Sequence, residues 1–464
     1  MKYVSTRGAA PVLPFDEVLL AGLAADGGLY VPESWPSLPA GRLESLAGRP
    51  YADVAVELMA PFVADAVDGE VLHRVVADAY AGFRHAAVAP LRQIGDNEWL
   101  LELFHGPTLA FKDLALQVVG RLFDHVLARR GERLTIVGAT SGDTGSAAIE
   151  ACRDRDALDV FILHPAGRVS EVQRRQMTTV DATNVHNLAV EGTFDDCQSL
   201  VKALFGDAPF RDRYRLSAVN SINWARILPQ TVYYVTAAVA LGAPARPVAF
   251  SVPTGNFGNV FAGWVARRMG LPVDQLVVAS NRNDTLTRFL RSGRLEVRQV
   301  VATTSPSMDI QVSSNVERLL FEALDRDGAA VAALMDRFGR ERRLQLGATA
   351  MAGIRAVFDG AEAHDDAVAQ AMAQVHDQAG ALIDPHTGVG VVAARACRRD
   401  PAVPMVVLAT AHPAKLPEAV AAATGVVPSP PEHLADLLER PERVVRVPND
   451  LAAVRGHIAA HARA

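Results

Sequence analysis

From about residue 95 onward, short apolar runs alternate with longer stretches of helical periodicity, and this alternation limits the possible folds more than any other feature of the chain. The runs at 99–103, 134–137, 160–163, 185–190 and 248–252 are each followed by a helical stretch, at 109–122, 144–152, 169–177, 197–205 and 260–269, and another apolar run lies at 276–279. Strands that are apolar throughout, separated by helices, predict parallel sheets covered on both faces: an α/β fold. Residues 1–80 read instead as turns and amphipathic helices, with a tight turn at Asp26-Gly27-Gly28 and a Pro-rich connector at 32–39. Between about 316 and 381 the chain is Ala-rich and helical with no strand signal, and residues 405–408 then supply one more buried strand, expected to rejoin the main sheet.

With 464 residues, half of them apolar, the chain can bury a large core in two or three packed units. Its 46 basic and 52 acidic side chains are spread along the sequence, so no basic stripe points to nucleic acid or to an anionic membrane, and a small molecule is the expected partner. Cys152, Cys197 and Cys397 form neither a disulfide framework nor a metal-ligand cluster, which suits a reducing cytoplasm and predicts no metal site. The apolar run at 18–25 is short and follows Asp16 and Glu17, unlike a secretory signal, and no stretch approaches the length of a membrane span.

In an open α/β sheet the chemistry belongs at the turns from strand to helix. Residues 104–113, Phe-His-Gly-Pro-Thr-Leu-Ala-Phe-Lys-Asp, end a strand and open a helix, so Lys112 falls at the positive end of a helix dipole, a placement disfavoured by roughly 0.3 to 1 kcal/mol for a cation. A neutral imine on Lys112 would remove that conflict, whereas a solvated lysine paired with Asp113 is the ordinary alternative. Residues 251–259, Ser-Val-Pro-Thr-Gly-Asn-Phe-Gly-Asn, also join a strand to a helix, and Gly255 and Gly258 let backbone amides approach a phosphate. The glycine spacing is neither that of a Walker loop nor that of a dinucleotide fingerprint, and on its own it also fits an empty turn. The turn 140–145, Thr-Ser-Gly-Asp-Thr-Gly, is a second anion cradle for a carboxylate or phosphate, or else plain helix capping by Ser141 or Asp143. Asn220, Ser221, Asn223 and Arg226 gather donors suited to phosphate oxygens, with Arg226 the natural holder of a substrate phosphate. Finally, 409–415 ends the late strand, where Thr410 can meet a ligand nitrogen and His412 and Lys415 can cap or bind anions.

Taken in order, residues 3–8, 26–32, 105–113, 140–145, 220–230, 255–259, 313–318 and 410–415 resemble the threonine synthases found in many bacteria and fungi, over nearly the whole chain. The resemblance implies a fold type II pyridoxal 5′-phosphate (PLP) enzyme with two parallel-sheet α/β domains. Residues 1–80 would form an N-terminal unit, 81–130 with 231–464 a large PLP-binding domain with a helical insertion at about 316–381, and 131–230 a small domain carrying substrate loops. It further implies that Lys112 is the catalytic residue and carries the cofactor, and that Gly255, Asn256, Phe257, Gly258 and Asn259 hold the cofactor phosphate. Thr410 would meet the pyridine nitrogen and Asp143 would lie toward the ring oxygen O3′, where relatives of another specificity have Asn. Thr140, Ser141, Thr144, Asn220, Ser221 and Arg226 would bind the substrate. The implied reaction converts O-phospho-L-homoserine and water into L-threonine and phosphate, with no nucleic-acid or membrane partner, in a cytoplasmic monomer or homodimer. A PLP-dependent dehydratase or phospholyase on related amino acids, or a non-catalytic PLP-binding protein, would use many of the same residues.

Overall fold

The apolar runs become the inner strands of two parallel sheets in the computed structural model, which describes residues 1–464 apart from Ser141, Val219 and Asn220. The larger sheet has six strands in the spatial order Phe358–Glu362, Val273–Ser280, Val248–Pro253, Met405–Ala409, Glu98–Glu102 and Leu91–Gly95. Its neighbours are parallel except for the last pair, an antiparallel hairpin at one edge. Every residue of Val248–Pro253 and Met405–Ala409 is buried, as expected of strands covered by helices on both faces. The late strand thus sits in the middle of the sheet, beside the strand that leads to Lys112.

The smaller sheet runs Val445–Pro448, Val185–Glu191, Leu158–Pro165, Leu134–Ala139 and Leu216–Ser217, all parallel. Here the structure departs from the expected division, because Val445–Pro448 and the helix Leu451–His461 pack on the small sheet although they fall within 231–464. A four-residue strand at the end of the chain carries no local sign of which distant strand it will pair with. The expected strand-free insertion is corrected too. Arg343–Gln345 forms a small hairpin sheet with Arg294–Glu296, and Phe358–Glu362 is an edge strand of the large sheet. The sequence Phe-Asp-Gly-Ala-Glu has little strand propensity of its own; pairing with Val273–Ser280 imposes the conformation.

The helix Lys112–Arg130 buries nearly every residue of its first half, the polar Asp113 and Gln117 included, so it is buried on all faces rather than along one stripe. The N-terminal unit packs onto it. Besides helices it contains an antiparallel strand pair, Tyr3–Ser5 with Tyr30–Pro32, that was not expected. Asp26 holds the pair together by accepting from Ser5 Oγ at 2.8 Å and from the amides of Ala9, Ala10 and Gly28 at 2.9 Å. Tyr3 and Phe62 close on the fully buried Trp224 ring, with centroids at 6.1 and 5.9 Å, so the unit belongs to the main core. On the small sheet, the helix Phe194–Gly206 begins with a capping box in which Thr193 and Asp196 exchange side-chain and backbone hydrogen bonds. Thr193→Ala is expected to lower stability by about 1 kcal/mol in urea unfolding.

Candidate active site

Backbone pairing brings Lys112 to the end of the late strand. Leu103 N donates to Ala409 O at 3.0 Å, Phe111 N to Thr410 O at 2.9 Å and His412 N to Leu109 O at 3.0 Å, so residues 103–111 run alongside 409–412. The turn is locked by the buried Asp113, which accepts from Thr108 N at 2.8 Å and from Thr108 Oγ1 at 2.6 Å. Asp113 therefore does not serve as the counter-ion of Lys112. Burial pushes its carboxyl up to about 6, and the two bonds from Thr108 oppose that shift.

The counter-ion is Asp143, the first residue of the helix Asp143–Cys152 on the small sheet. Its Oδ2 lies 3.5 Å from Lys112 Nζ and accepts from Ser307 Oγ at 3.1 Å, while its Oδ1 accepts from Lys415 Nζ at 2.9 Å and from Gln173 Nε2 at 2.8 Å. Lys415 is 1% exposed and also donates to Thr108 O at 2.8 Å. Burial alone would raise the Asp143 carboxyl, but the ammonium groups of Lys415 and Lys112 hold it well below the usual carboxylate range. Desolvation lowers the Lys112 amine; Lys415 and Arg226 lower it further, against the pull of Asp143. The preceding turn depends on Gly142, whose φ of 144° belongs to glycine and where a Cβ would lie 2.5 Å from the Gln173 carboxamide.

The expected substrate residues divide. Thr140 Oγ1 accepts from Gly142 N at 3.0 Å and from Gly145 N, in the first turn of the helix, at 2.9 Å, so it holds the turn and satisfies an amide at the helix start, whereas Asp143 is the first helical residue and not its cap. Thr144 is half-buried in the first turn of that helix. Ser141 and Asn220 lie outside the described residues. Ser221 is half-buried, and its carbonyl accepts from Asn315 Nδ2 at 3.1 Å. Asn223 is structural: its Oδ1 caps the short helix Trp224–Ile227 through Ala225 N at 3.0 Å and its Nδ2 reaches Leu19 O at 2.9 Å. Arg226, 4% exposed on that helix, is a guanidinium lowered to about 10 by desolvation, and its field reaches Lys112.

On the other side, the turn into the helix Gly258–Arg268 is held from outside. Ser313 Oγ donates to Gly255 O at 2.6 Å, and Asn315 donates to Asn256 O through its backbone N at 3.1 Å and its Nδ2 at 3.0 Å. With those carbonyls engaged, the amides at the helix start are what the turn offers inward, since the first N–H groups of a helix have no intrahelical acceptor. Phe257 takes a left-handed φ of 65°, a strained value for an aromatic residue, and its ring packs on Phe358. Asn259 Oδ1 accepts from Tyr233 Oη at 2.6 Å and Tyr234 Oη at 2.9 Å, whereas its buried Nδ2 has no partner among the described residues. A buried amide donor beside a helix start fits a phosphate oxygen. A Cβ on Gly258 would lie 3.2 Å from Ile227 Cδ1 and 3.3 Å from Asn315 Nδ2, so Gly258→Val is expected to weaken PLP affinity about tenfold through overpacking, read by titrating the apoprotein with PLP.

Several residues of this site escape sequence reasoning: Gln173, Ser307, Asp384, His386 and the buried Arg318. Arg318 donates to Ile222 O at 2.6 Å and to Tyr30 O, and also bonds Asn315, tying the N-terminal unit to the segment that precedes Arg226 and, through Asn315, to the turn at 255–259. His412 accepts from Ala414 N at 3.1 Å as a cap, so of the expected pair only Lys415 meets an anion. Among the described residues no cluster of three or more His, Cys, Asp or Glu could hold a metal ion, and no helix is long and apolar enough to cross a membrane.

A lysine at a helix start between two parallel sheets, with a glycine turn opening a helix of the larger one, is an arrangement suited to PLP, and residues 85–364 match the family described as pyridoxal-phosphate dependent enzyme. Residues 2–80 match the threonine synthase N terminus and residues 387–458 the threonine synthase C-terminal region. A threonine synthase of Pseudomonas aeruginosa is 56% identical over 462 residues, covering 99% of this chain and 98% of its own. The crystal structure of PLP-bound threonine synthase from Brucella melitensis superposes with a TM-score of 0.98 at 55% identity over 100% of both chains. The yeast enzyme does so at 0.94 and 37%, over 99% of this chain and 98% of its own. The chain belongs to the threonine synthase family.

Proposed function

We propose that this chain converts O-phospho-L-homoserine and water into L-threonine and phosphate. The observation that supports this reading is a partly buried lysine, held by Asp143, in a chain that has both a glycine turn opening the helix Gly258–Arg268 and a separate buried guanidinium, Arg226, on the helix Trp224–Ile227. A phosphorylated substrate on a phosphorylated cofactor needs both. PLP, when bound, supplies the electron sink for carbanion chemistry at the substrate α-carbon. Lys112 is the attachment point, and its lowered amine suits it to take a proton from Cα and return one at Cβ. Gly255, Asn256, Phe257, Gly258 and Asn259 would hold the cofactor phosphate, Thr410 would meet the pyridine nitrogen and Asp143 would lie toward the ring oxygen. The buried Arg226 stabilises charge on the departing phosphate, with Thr144 and Ser221 completing the substrate site.

A phosphate-release assay on O-phospho-L-homoserine, with amino-acid analysis of the product, tests the reading. Threonine in equal amount to phosphate is expected; 2-oxobutanoate instead, or turnover of phosphothreonine alone, would make the chain a dehydratase or phospholyase, and no turnover would make it a binding protein. We place the reaction in the cytoplasm, where the three free thiols stay reduced, and assign a monomer or homodimer, which sedimentation checks.

A further inference from the structure

Ser307 lies in the short turn Pro306–Met308 and touches both halves of the site. Its hydroxyl donates to Asp143 Oδ2, and its carbonyl stands so close to the phosphate turn that a Cβ on Gly255 would lie 2.9 Å from it. Its amide donates to His386 Nε2 at 3.3 Å. Because that ring nitrogen accepts, the imidazole proton belongs on Nδ1, 2.6 Å from Asp384 Oδ2, and the tautomer is set. Asp384 is fully buried and caps the helix Pro385–Cys397 through the amides of His386 and Thr387. A hydrogen-bonded line therefore runs from a rigid helix start through His386 and Ser307 to Asp143.

We propose that Ser307 is a positioning residue for the reaction: its hydroxyl shares Asp143 Oδ2 with Lys112 and so keeps the carboxylate from closing on the amine, while the Asp384–His386 pair fixes the Ser307 turn. Oδ1 is held by Lys415 and Gln173, and the contacts of Oδ2 among the described residues are Ser307 at 3.1 Å and Lys112 at 3.5 Å. Removing the hydroxyl leaves Lys112 as its remaining partner among the described residues. The charged groups acting on Lys112 are Asp143, Lys415 and Arg226, and His386 is the titratable group that acts on Asp143 besides the two lysines. A closer carboxylate favours the protonated nitrogen, so the effect on Lys112 is toward higher pH.

This inference rests on Lys112 being the cofactor attachment point, and the experiment separates the two. The visible absorption of the PLP-loaded protein is titrated with pH. Ser307→Ala should move the midpoint alkaline by about one unit, and Ser307→Thr, which keeps the hydroxyl, should return it to the wild-type value. His386→Asn, which can still donate to Asp384 but no longer reaches the Ser307 amide, should reproduce the alkaline shift. His386→Gln, which can offer an acceptor to that amide, should shift less. An unmoved midpoint in loaded Ser307→Ala, or equal shifts for Ala and Thr, overturns the proposal and leaves Lys112 untouched. If Lys112→Ala keeps the wild-type absorption, it is the attachment assignment that falls.

Discussion

Lys112→Ala is expected to abolish the visible absorption of the bound cofactor and to reduce turnover of O-phospho-L-homoserine by about a thousandfold or more, with the fold retained. The size follows from two losses at once, the covalent attachment and a positioned proton carrier, the latter alone contributing typically 10²–10⁴-fold. The fold should survive because Asp143 keeps Lys415, Gln173 and Ser307, so its buried carboxylate is not left uncompensated. Removing a cation from the start of the helix Lys112–Arg130 also relieves an unfavourable interaction with the helix dipole. Absorbance spectra, thermal unfolding of the apoprotein and phosphate release, measured on one preparation, check all three parts. Wild-type absorption together with wild-type turnover in this variant would remove Lys112 from the chemistry.

Arg226→Ala is expected to leave PLP bound and its spectrum near normal while lowering kcat/KM for O-phospho-L-homoserine about tenfold to hundredfold. Losing a charge-assisted contact to a partly desolvated phosphate costs about 1.5 to 3 kcal/mol. The guanidinium is 4% exposed and held at about 10 by desolvation, a cost that binding a phosphate dianion would offset. The same change removes one of the positive charges that depress Lys112, so the acidic limb of the pH profile should also move toward higher pH. Arg226→Lys should recover only part of the activity, because an ammonium cannot reproduce the bidentate fork. Loss of PLP from the folded variant, or unchanged steady-state kinetics, would reverse the assignment of the two anion sites.

The parts of the site that could be read in the sequence are those made by contiguous residues. Phe111-Lys112-Asp113, the turn at 255–259 and the turn at 140–145 are each strand-to-helix junctions whose local chemistry is written in a few adjacent positions. The role of each residue within a junction was less legible. Asp113, the partner of Lys112 in the ordinary alternative, locks Thr108 instead; Thr140, expected at the substrate, holds its own turn. Asn223 stood among phosphate donors and is a helix cap. In each case a short polar side chain has a backbone partner within five residues, and local hydrogen bonds of that kind compete with ligand binding.

What the sequence by itself determined was the class of fold, because continuous apolar runs must be buried on both faces; it also put Lys112 at a strand-to-helix junction, where the resemblance implies attachment of the cofactor. Only the tertiary structure decided what surrounds that lysine. Ser307 and Asp143 are 164 residues apart, and Lys415 and Thr108 are 307 apart. It also returned the strand Val445–Pro448 to the small sheet and made Phe358–Glu362 an edge of the large one. Such pairings depend on where whole layers come to rest against one another. No periodicity along the chain encodes them, since each buried charge or unpaired strand edge is satisfied by whatever partner packing brings within reach.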